Sequence, residues 1–293
     1  MKFLSTLIAD GKLIADMTTL QATTPARLHH LHLTSADPER LSAFYSRMLD
    51  YETTRAGDDA YVLSGGERNL VVSKGGDGGV AFMAYAVKDI ASLERLRERL
   101  SAAALEPVHS PLFAEGAFGL GDPQGRRIAF GVARKAAIPD ARPGRLQHVV
   151  FQTTALAPLL EFYVDRLGFA ISDKVVNENG SLAVFFIRSD EEHHSLAFFL
   201  GSKNELDHHA YETSCWNDIR DWGDRFGQNR IPMFWGPGRH GPGNNLFFMV
   251  RDPDGNKLEL SAELETFGPD QAPRTWPNTE HTLNYWGGAW MRS

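Results

Sequence analysis

The chain repeats itself, and the spacing of the repeat limits what it can fold into. Arg27-Leu28-His29-His30-Leu31-His32-Leu33, continuing to Phe44-Tyr45 and Leu49, returns 118 positions later as Arg145-Leu146-Gln147-His148-Val149-Val150-Phe151, Phe162-Tyr163 and Leu167. The match runs without a gap for more than 20 residues and keeps both Phe-Tyr pairs in register. A second run, Asp122-Pro123-Gln124-Gly125-Arg126-Arg127-Ile128-Ala129-Phe130, returns 130 positions later as Asp252-Pro253-Asp254-Gly255-Asn256-Lys257-Leu258-Glu259-Leu260. Two homologous domains are therefore expected, residues 27–135 and 144–263. A linker near Ala136–Pro143 joins them, carrying Pro139 and Pro143. Residues 1–26 read as a leader packed on a neighbouring subunit, and residues 264–293 as a tail over the pocket or a subunit contact.

Within each half the hydrophobic period changes in a fixed order. Alternation around His148 reads as a strand, and Leu159, Phe162, Tyr163, Arg166 and Leu167 then follow helical steps over Pro158–Leu167. Ser181–Ile187 and Ser195–Leu200 read as strands, bounded by the turn residues Asn177–Gly180 and Ser189–Glu192. The pattern restarts with strand Leu206–Thr213, a helix from about Asp218 to Phe226, and strands Asn244–Val250 and Lys257–Ser261. The first half does the same, with strand Val80–Val87 leading into helix Asp89–Leu100. The expected architecture is α+β, with four strand-helix-strand-strand-strand modules, two per domain.

Composition excludes several partners. A net charge of −7 and a pI near 5.9 argue against a general nucleic-acid binder. No apolar run approaches the roughly 20 residues of a membrane span, and Asp10, Lys12 and Asp16 interrupt the apolar residues of the leader as no signal peptide would. The single Cys215 cannot form an intrachain disulfide and fits a reducing cytoplasm.

The most informative residue is Glu259. Strand alternation puts Leu258 and Leu260 on one face and Glu259 on the other. A carboxylate enclosed by apolar walls needs a partner, and a metal ion is one of the few that suffices. Histidines earlier in the chain are the obvious co-ligands.

Five features together resemble the vicinal-oxygen-chelate superfamily, and within it the two-domain type I extradiol ring-cleavage dioxygenases. They are His148 on a strand, His208 on a strand, His193-His194-Ser195-Leu196-Ala197-Phe198, Gly236-Pro237-Gly238-Arg239-His240-Gly241, and Asp252-Pro253-Asp254-Gly255 followed by Glu259. The resemblance covers roughly residues 27–262. It implies two open barrels of two modules each, with a metal only in the second. It assigns that ion, Fe(II) with Mn(II) as the alternative, to His148, His208 and Glu259. It gives His194 the role of a pocket base that also steadies bound oxygen, and His240 a hydrogen bond to the deprotonated diol oxygen. The implied partners are a small aromatic diol and dioxygen, and the implied protein is a cytoplasmic homo-oligomer.

Register separates the neighbouring histidines. Aligning Leu206-Asp207-His208 on Leu146-Gln147-His148 selects His208 as the inward residue and leaves His209 at the surface or in a second layer. His193 is expected outside, on the face opposite His194. In the first half His30 survives, but Phe82 stands for His208 and Ala129 for Glu259, so that half is expected to bind no metal. His29 and His32 are assigned to solvent or the domain interface. Family members carry a Tyr nine residues after the His matching His240; here that position is Met249, with Tyr285 as the candidate replacement hydroxyl. Trp235 stands where a basic residue could hold a substrate carboxylate. With Phe186 and Met249 it points to an apolar aromatic substrate. Two alternatives stay open: another metalloenzyme of the superfamily, an isomerase or lyase acting on a non-catechol oxygen pair, and a binding protein for an aromatic ligand.

Overall fold

Strand pairing reproduces the repeat. The computed structural model describes residues 7–9, 12–14, 22, 24–65, 68–134, 144–268 and 270–291. The linker Ala136–Pro143 and most of the leader lie outside the described residues. From the leader, β1 (Leu7–Ala9) and β2 (Lys12–Ile14) form an antiparallel ribbon. The first half continues with β3 (Ala26–Ser35), α1 (Pro38–Leu49), β4 (Glu52–Arg55), β5 (Ala60–Gly65) and β6 (Arg68–Lys74). It then repeats the pattern with β7 (Gly79–Val87), α2 (Ile90–Arg99), β8 (Glu106–Pro107), β9 (Phe118–Gly121) and β10 (Arg127–Val132).

The second half begins with β11 (Arg145–Thr153), α3 (Ala157–Leu160), β12 (Ala170–Val176), β13 (Leu182–Arg188) and β14 (Leu196–Leu200). Its second module is β15 (Glu205–Thr213), α4 (Trp216–Gln228), β16 (Met233–Arg239), β17 (Leu246–Arg251) and β18 (Lys257–Ala262). The tail adds β19 (Arg274–Pro277) and α5 (Glu280–Leu283). Each half is one open sheet. The orders are β4-β5-β6-β3-β7-β10-β9-β8 and, in the same sense, β12-β13-β14-β11-β15-β18-β17-β16, with β19 added beside β12.

Local chemistry explains the helices. The Asp37 carboxylate accepts from Arg40 N at 3.0 Å, Pro38 opens α1, and Leu41, Phe44, Tyr45, Met48 and Leu49 form its buried stripe. In α4 the buried residues Ile219, Trp222 and Phe226 follow the three- and four-residue steps of one helix face. The helix expected over Pro158–Leu167 differs: only Ala157–Leu160 is α-helical, and Glu161–Arg166 is wound as a π-helix. The wider turn lets the consecutive residues Phe162, Tyr163 and Val164 all be buried.

The central strands of the second sheet bury both of their faces, and each face has its own task. Val149 and Phe151 of β11, Tyr211 of β15, and Leu258 and Leu260 of β18 join one core that also holds Leu31, Phe44 and Tyr85 of the first half. The alternate residues face the concave side of each sheet. That side holds Val150, Phe186, Trp235, Phe247 and Met249 in the second half, and Phe82, Ala84, Phe113 and Ala129 in the first. The apolar patterning thus sends one set of side chains to a shared core between the halves and the other to two separate hollows.

Reciprocal hydrogen bonds cross that shared core. Tyr45 of α1 donates to Asp252 Oδ2 at 2.8 Å, and Tyr163, its repeat partner, donates to Asp122 Oδ2 at 3.1 Å. Each helix tyrosine is therefore tied to the Asp-Pro turn of the other half. Because Tyr45 gives its only hydrogen to the carboxylate, the 3.0 Å contact with His209 Nε2 has the imidazole donating. Removing the hydroxyl leaves His209 Nε2 without its acceptor, while Asp252 Oδ2 keeps the Asn256 amide at 2.8 Å. Tyr45→Phe is expected to lower unfolding free energy by roughly 1.5–3 kcal/mol. Tyr163→Phe should cost less, because Arg126 still pairs with Asp122 at 3.2 Å. Urea unfolding of both variants checks this; a larger loss for Tyr163→Phe would contradict the assignment.

Candidate metal centre

Three central strands of the second sheet bring three ligand side chains together. In register, His148 of β11 and Glu259 of β18 both lie opposite Ala210 of β15, and His208 stands two residues before Ala210. All three therefore point into the concave side. His208 Nε2 lies 3.3 Å from Glu259 Oε2, and His148 Nε2 lies 3.9 Å from Glu259 Oε1. One ligand atom from each residue falls within 4.8 Å of the others. His148 is 2% exposed, His208 5% and Glu259 0%.

Neighbouring groups hold these side chains. Asp207 Oδ1 accepts from His208 Nδ1 at 2.5 Å, which leaves Nε2 as the bare nitrogen facing inward. Asn245 donates to Glu259 Oε1 at 3.1 Å and to Ser261 at 2.9 Å. Burial pushes the His148 imidazole down to about 3, helped by His193 and Arg145. Burial also lowers His208, although Asp207 and Glu259 oppose it. Both rings are thus neutral at pH 7, the form that ligates metal. Glu259 Oε2 is buried without a hydrogen-bond partner. An anionic oxygen with no donor, facing two neutral imidazole nitrogens, fits a divalent cation. Two His and one carboxylate on one side are the donor set that leaves positions open for other ligands.

Above the ligands is a narrow cavity of about 30 Å³. Its apolar wall is Val150, Phe186, Phe199, Trp235 and Leu283, and its polar groups include His194 and His240. The His194 ring lies 4.3 Å from that of His148, and burial, then the other histidines, holds its charged form well down. His240 stacks on Phe247 with ring centres 3.8 Å apart and planes 3° from parallel. Its Nδ1 donates to Leu283 O at 2.5 Å, so Nε2 faces the site, 4.0 Å from Glu259 Oε1. Gly236 permits this loop: its φ is 92°, and a Cβ there would meet backbone atoms of Phe247 and Phe248 at 2.9 Å. The tail pins the loop from outside, with Gly241 N donating to Thr282 O at 2.9 Å and Tyr285 N to Arg239 O at 2.8 Å.

Phe186 and Trp235 line the cavity; Met249 and Tyr285 do not. Met249 lies opposite Glu259 and is fully buried in the apolar cluster that also holds the cavity residues Val150, Phe186 and Trp235. Tyr285 is 37% exposed and packs on His281. Of the two places expected for His209 it takes the second layer: it is fully buried, because the face opposite His208 is the core between the halves. His193 is likewise fully buried rather than outside, because Glu265 and Arg274 of the tail cover it. Asp207, Asn245 and Leu283 went unread. Asp207 had a signal, since it precedes His208, but Asn245 and Leu283 reach the site only through folding.

A second cluster, Asp173, His193 and Glu265, also brings ligand atoms together. Arg274 fills it: its guanidinium donates to Asp173 at 2.7 and 2.9 Å and to Glu265 at 3.0 Å. One guanidinium shared by two carboxylates makes this a structural ion-pair network. The first half offers the comparison at the true site. His30 lies opposite Ala84, as does Ala129, so Phe82 and Ala129 occupy the positions of His208 and Glu259. His30 instead contacts Ser110 at 2.9 Å, and His29 and His32 are half-buried against Phe113 and Phe82.

Comparison with known proteins bears on this geometry. Residues 145–260 match the family model described as the Glyoxalase/Bleomycin resistance protein/Dioxygenase superfamily. The chain is 31% identical over 182 residues to "Metapyrocatechase 2" of Cupriavidus necator, covering 61% of this chain and 52% of that protein. It therefore spans about half the length of that relative. It is 30% identical over 155 residues to "Biphenyl-2,3-diol 1,2-dioxygenase 3" of Rhodococcus globerulus, covering 48% of this chain and 74% of that protein. The solved structure of homoprotocatechuate 2,3-dioxygenase from Arthrobacter globiformis superposes with a TM-score of 0.79 at 22% identity, covering 93% of this chain and 91% of that one.

The hydrogen bond from His208 to Asp207 should matter to metal affinity more than to folding. Asp207→Ala is expected to weaken divalent-metal binding by about 10–100-fold, while His148→Ala abolishes stoichiometric binding. Metal titration with a competing chelator checks both, and unchanged affinity in Asp207→Ala would contradict the role given to that carboxylate.

Proposed function

Because the chain belongs to the glyoxalase/bleomycin resistance protein/dioxygenase superfamily, we propose that it is an extradiol dioxygenase. It would open a small catecholic ring beside the hydroxylated carbons and place both atoms of O2 in the product. The observation that carries this is the grouping of His148, His208 and Glu259 beneath His194 and His240 in one apolar cavity. Fe(II), with Mn(II) as the alternative, would be held by those three side chains and supply a Lewis acid at which the diol and dioxygen meet.

The chain's own residues handle protons and orientation. With its Nδ1 hydrogen given to Leu283 O, His240 has a bare Nε2 to accept the first hydroxyl proton. The imidazolium so formed then donates back to the anionic diol oxygen. His194 takes the second proton from the other side. Val150, Phe186, Phe199, Trp235 and Leu283 hold the ring face and exclude water. Among the described lining residues there is no Lys or Arg, so the substrate is a diol without a carboxylate. The lone Cys215 suits a cytoplasmic enzyme.

Anaerobic loading with Fe(II), followed by oxygen uptake and absorbance with catechol and 2,3-dihydroxybiphenyl, tests this. One O2 consumed per diol with a yellow ring-opened product is expected, catechol reacting faster in so small a cavity. His194→Ala should lower kcat by roughly 10²–10⁴ with metal content unchanged. Stoichiometric metal without oxygen consumption would replace the dioxygenase by an isomerase or lyase of the same superfamily.

A further inference from the structure

A chain of hydrogen bonds runs from the cavity into the protein behind His194. His194 Nδ1 lies 2.8 Å from His193 Nδ1, and His193 Nε2 lies 2.9 Å from Asp173 Oδ2. Asp173 also accepts from Trp276 Nε1 at 2.8 Å and from the Arg274 guanidinium. His193 and Asp173 are both fully buried, and Phe186 and Phe267 pack against the His193 ring at 5.6 and 5.3 Å.

With both imidazoles neutral, these contacts have one consistent hydrogen assignment. A carboxylate only accepts, so the hydrogen between His193 and Asp173 belongs to His193 Nε2, and its Nδ1 is bare. The single hydrogen between the two Nδ1 atoms then belongs to His194. We propose that His193, held by Asp173, is a positioning residue that fixes the His194 hydrogen on Nδ1 and leaves Nε2 as an acceptor facing the cavity. Its catalytic meaning rests on the dioxygenase reading above: a base must present a bare nitrogen to a hydroxyl, and the other tautomer would present N–H.

The test is long-range ¹H–¹⁵N correlation NMR on the full-length chain, ¹⁵N-labelled and loaded with diamagnetic Zn(II). His194 is expected as the Nδ1–H tautomer in the natural sequence. In His193→Phe, which removes the acceptor, the Nε2–H form should appear. There kcat should fall roughly 10–100-fold with KM and metal affinity unchanged. His193→Asn places a carbonyl oxygen near the position of the lost nitrogen and should restore both the tautomer and most of the rate. Finding His194 as Nε2–H in the natural sequence, or an unaltered tautomer in His193→Phe, overturns the proposal. The spectrum is read without dioxygen or diol, so an absent dioxygenase activity would sink the functional reading and leave the tautomer result standing.

Discussion

A carboxylate with no exposed surface organises the second half of this protein. Glu259 is flanked in sequence by Leu258 and Leu260, which go to the core between the halves, and it faces the hollow with the histidines. Asn245 serves one of its oxygens, and among the described residues none donates a hydrogen bond to the other. An isolated buried carboxylate costs several kcal/mol, and neutral imidazoles cannot offset that. The arrangement fits the cation proposed among the three side chains. The first half shows the converse: where Ala129 and Phe82 replace the glutamate and histidine, the hollow fills with aromatic rings and His30 finds a serine.

That specialisation depends on the two halves sharing one core. Each sheet turns one face toward the other half, and the tyrosine of each first helix reaches the Asp-Pro turn of the opposite sheet. The strands carrying the ligands are thereby packed on both sides, which fixes His148, His208 and Glu259 to within the tolerance a metal site needs. The tail adds the last constraint. It extends the sheet beside β12, covers His193, pins the glycine loop before His240 and contributes Leu283 to the cavity wall.

Much of this was legible in the sequence because a repeat carries its own register. Aligning the halves separated His208 from His209 and put Ala129 in place of Glu259, and strand pairing bears out both alignments. What the repeat could not reveal was what lies behind each strand. Alternation says that His209 and His193 point away from their neighbours, and a one-sided sheet would put them in water. Here one is buried by the other half and the other by the tail, neither of which local pattern encodes. The π-helical turn after Leu160 was hidden likewise, since the three- and four-residue steps from Leu159 to Leu167 read as an ordinary helix.

Anomalous diffraction at the iron edge, from crystals of the Fe(II)-loaded protein, would locate the ion directly. One peak per chain is predicted, within bonding distance of His148, His208 and Glu259, with none beside His30. A peak at Asp173, His193 and Glu265, or in the first half, would contradict the account, as would a refined site in which Glu259 makes no bond to the metal.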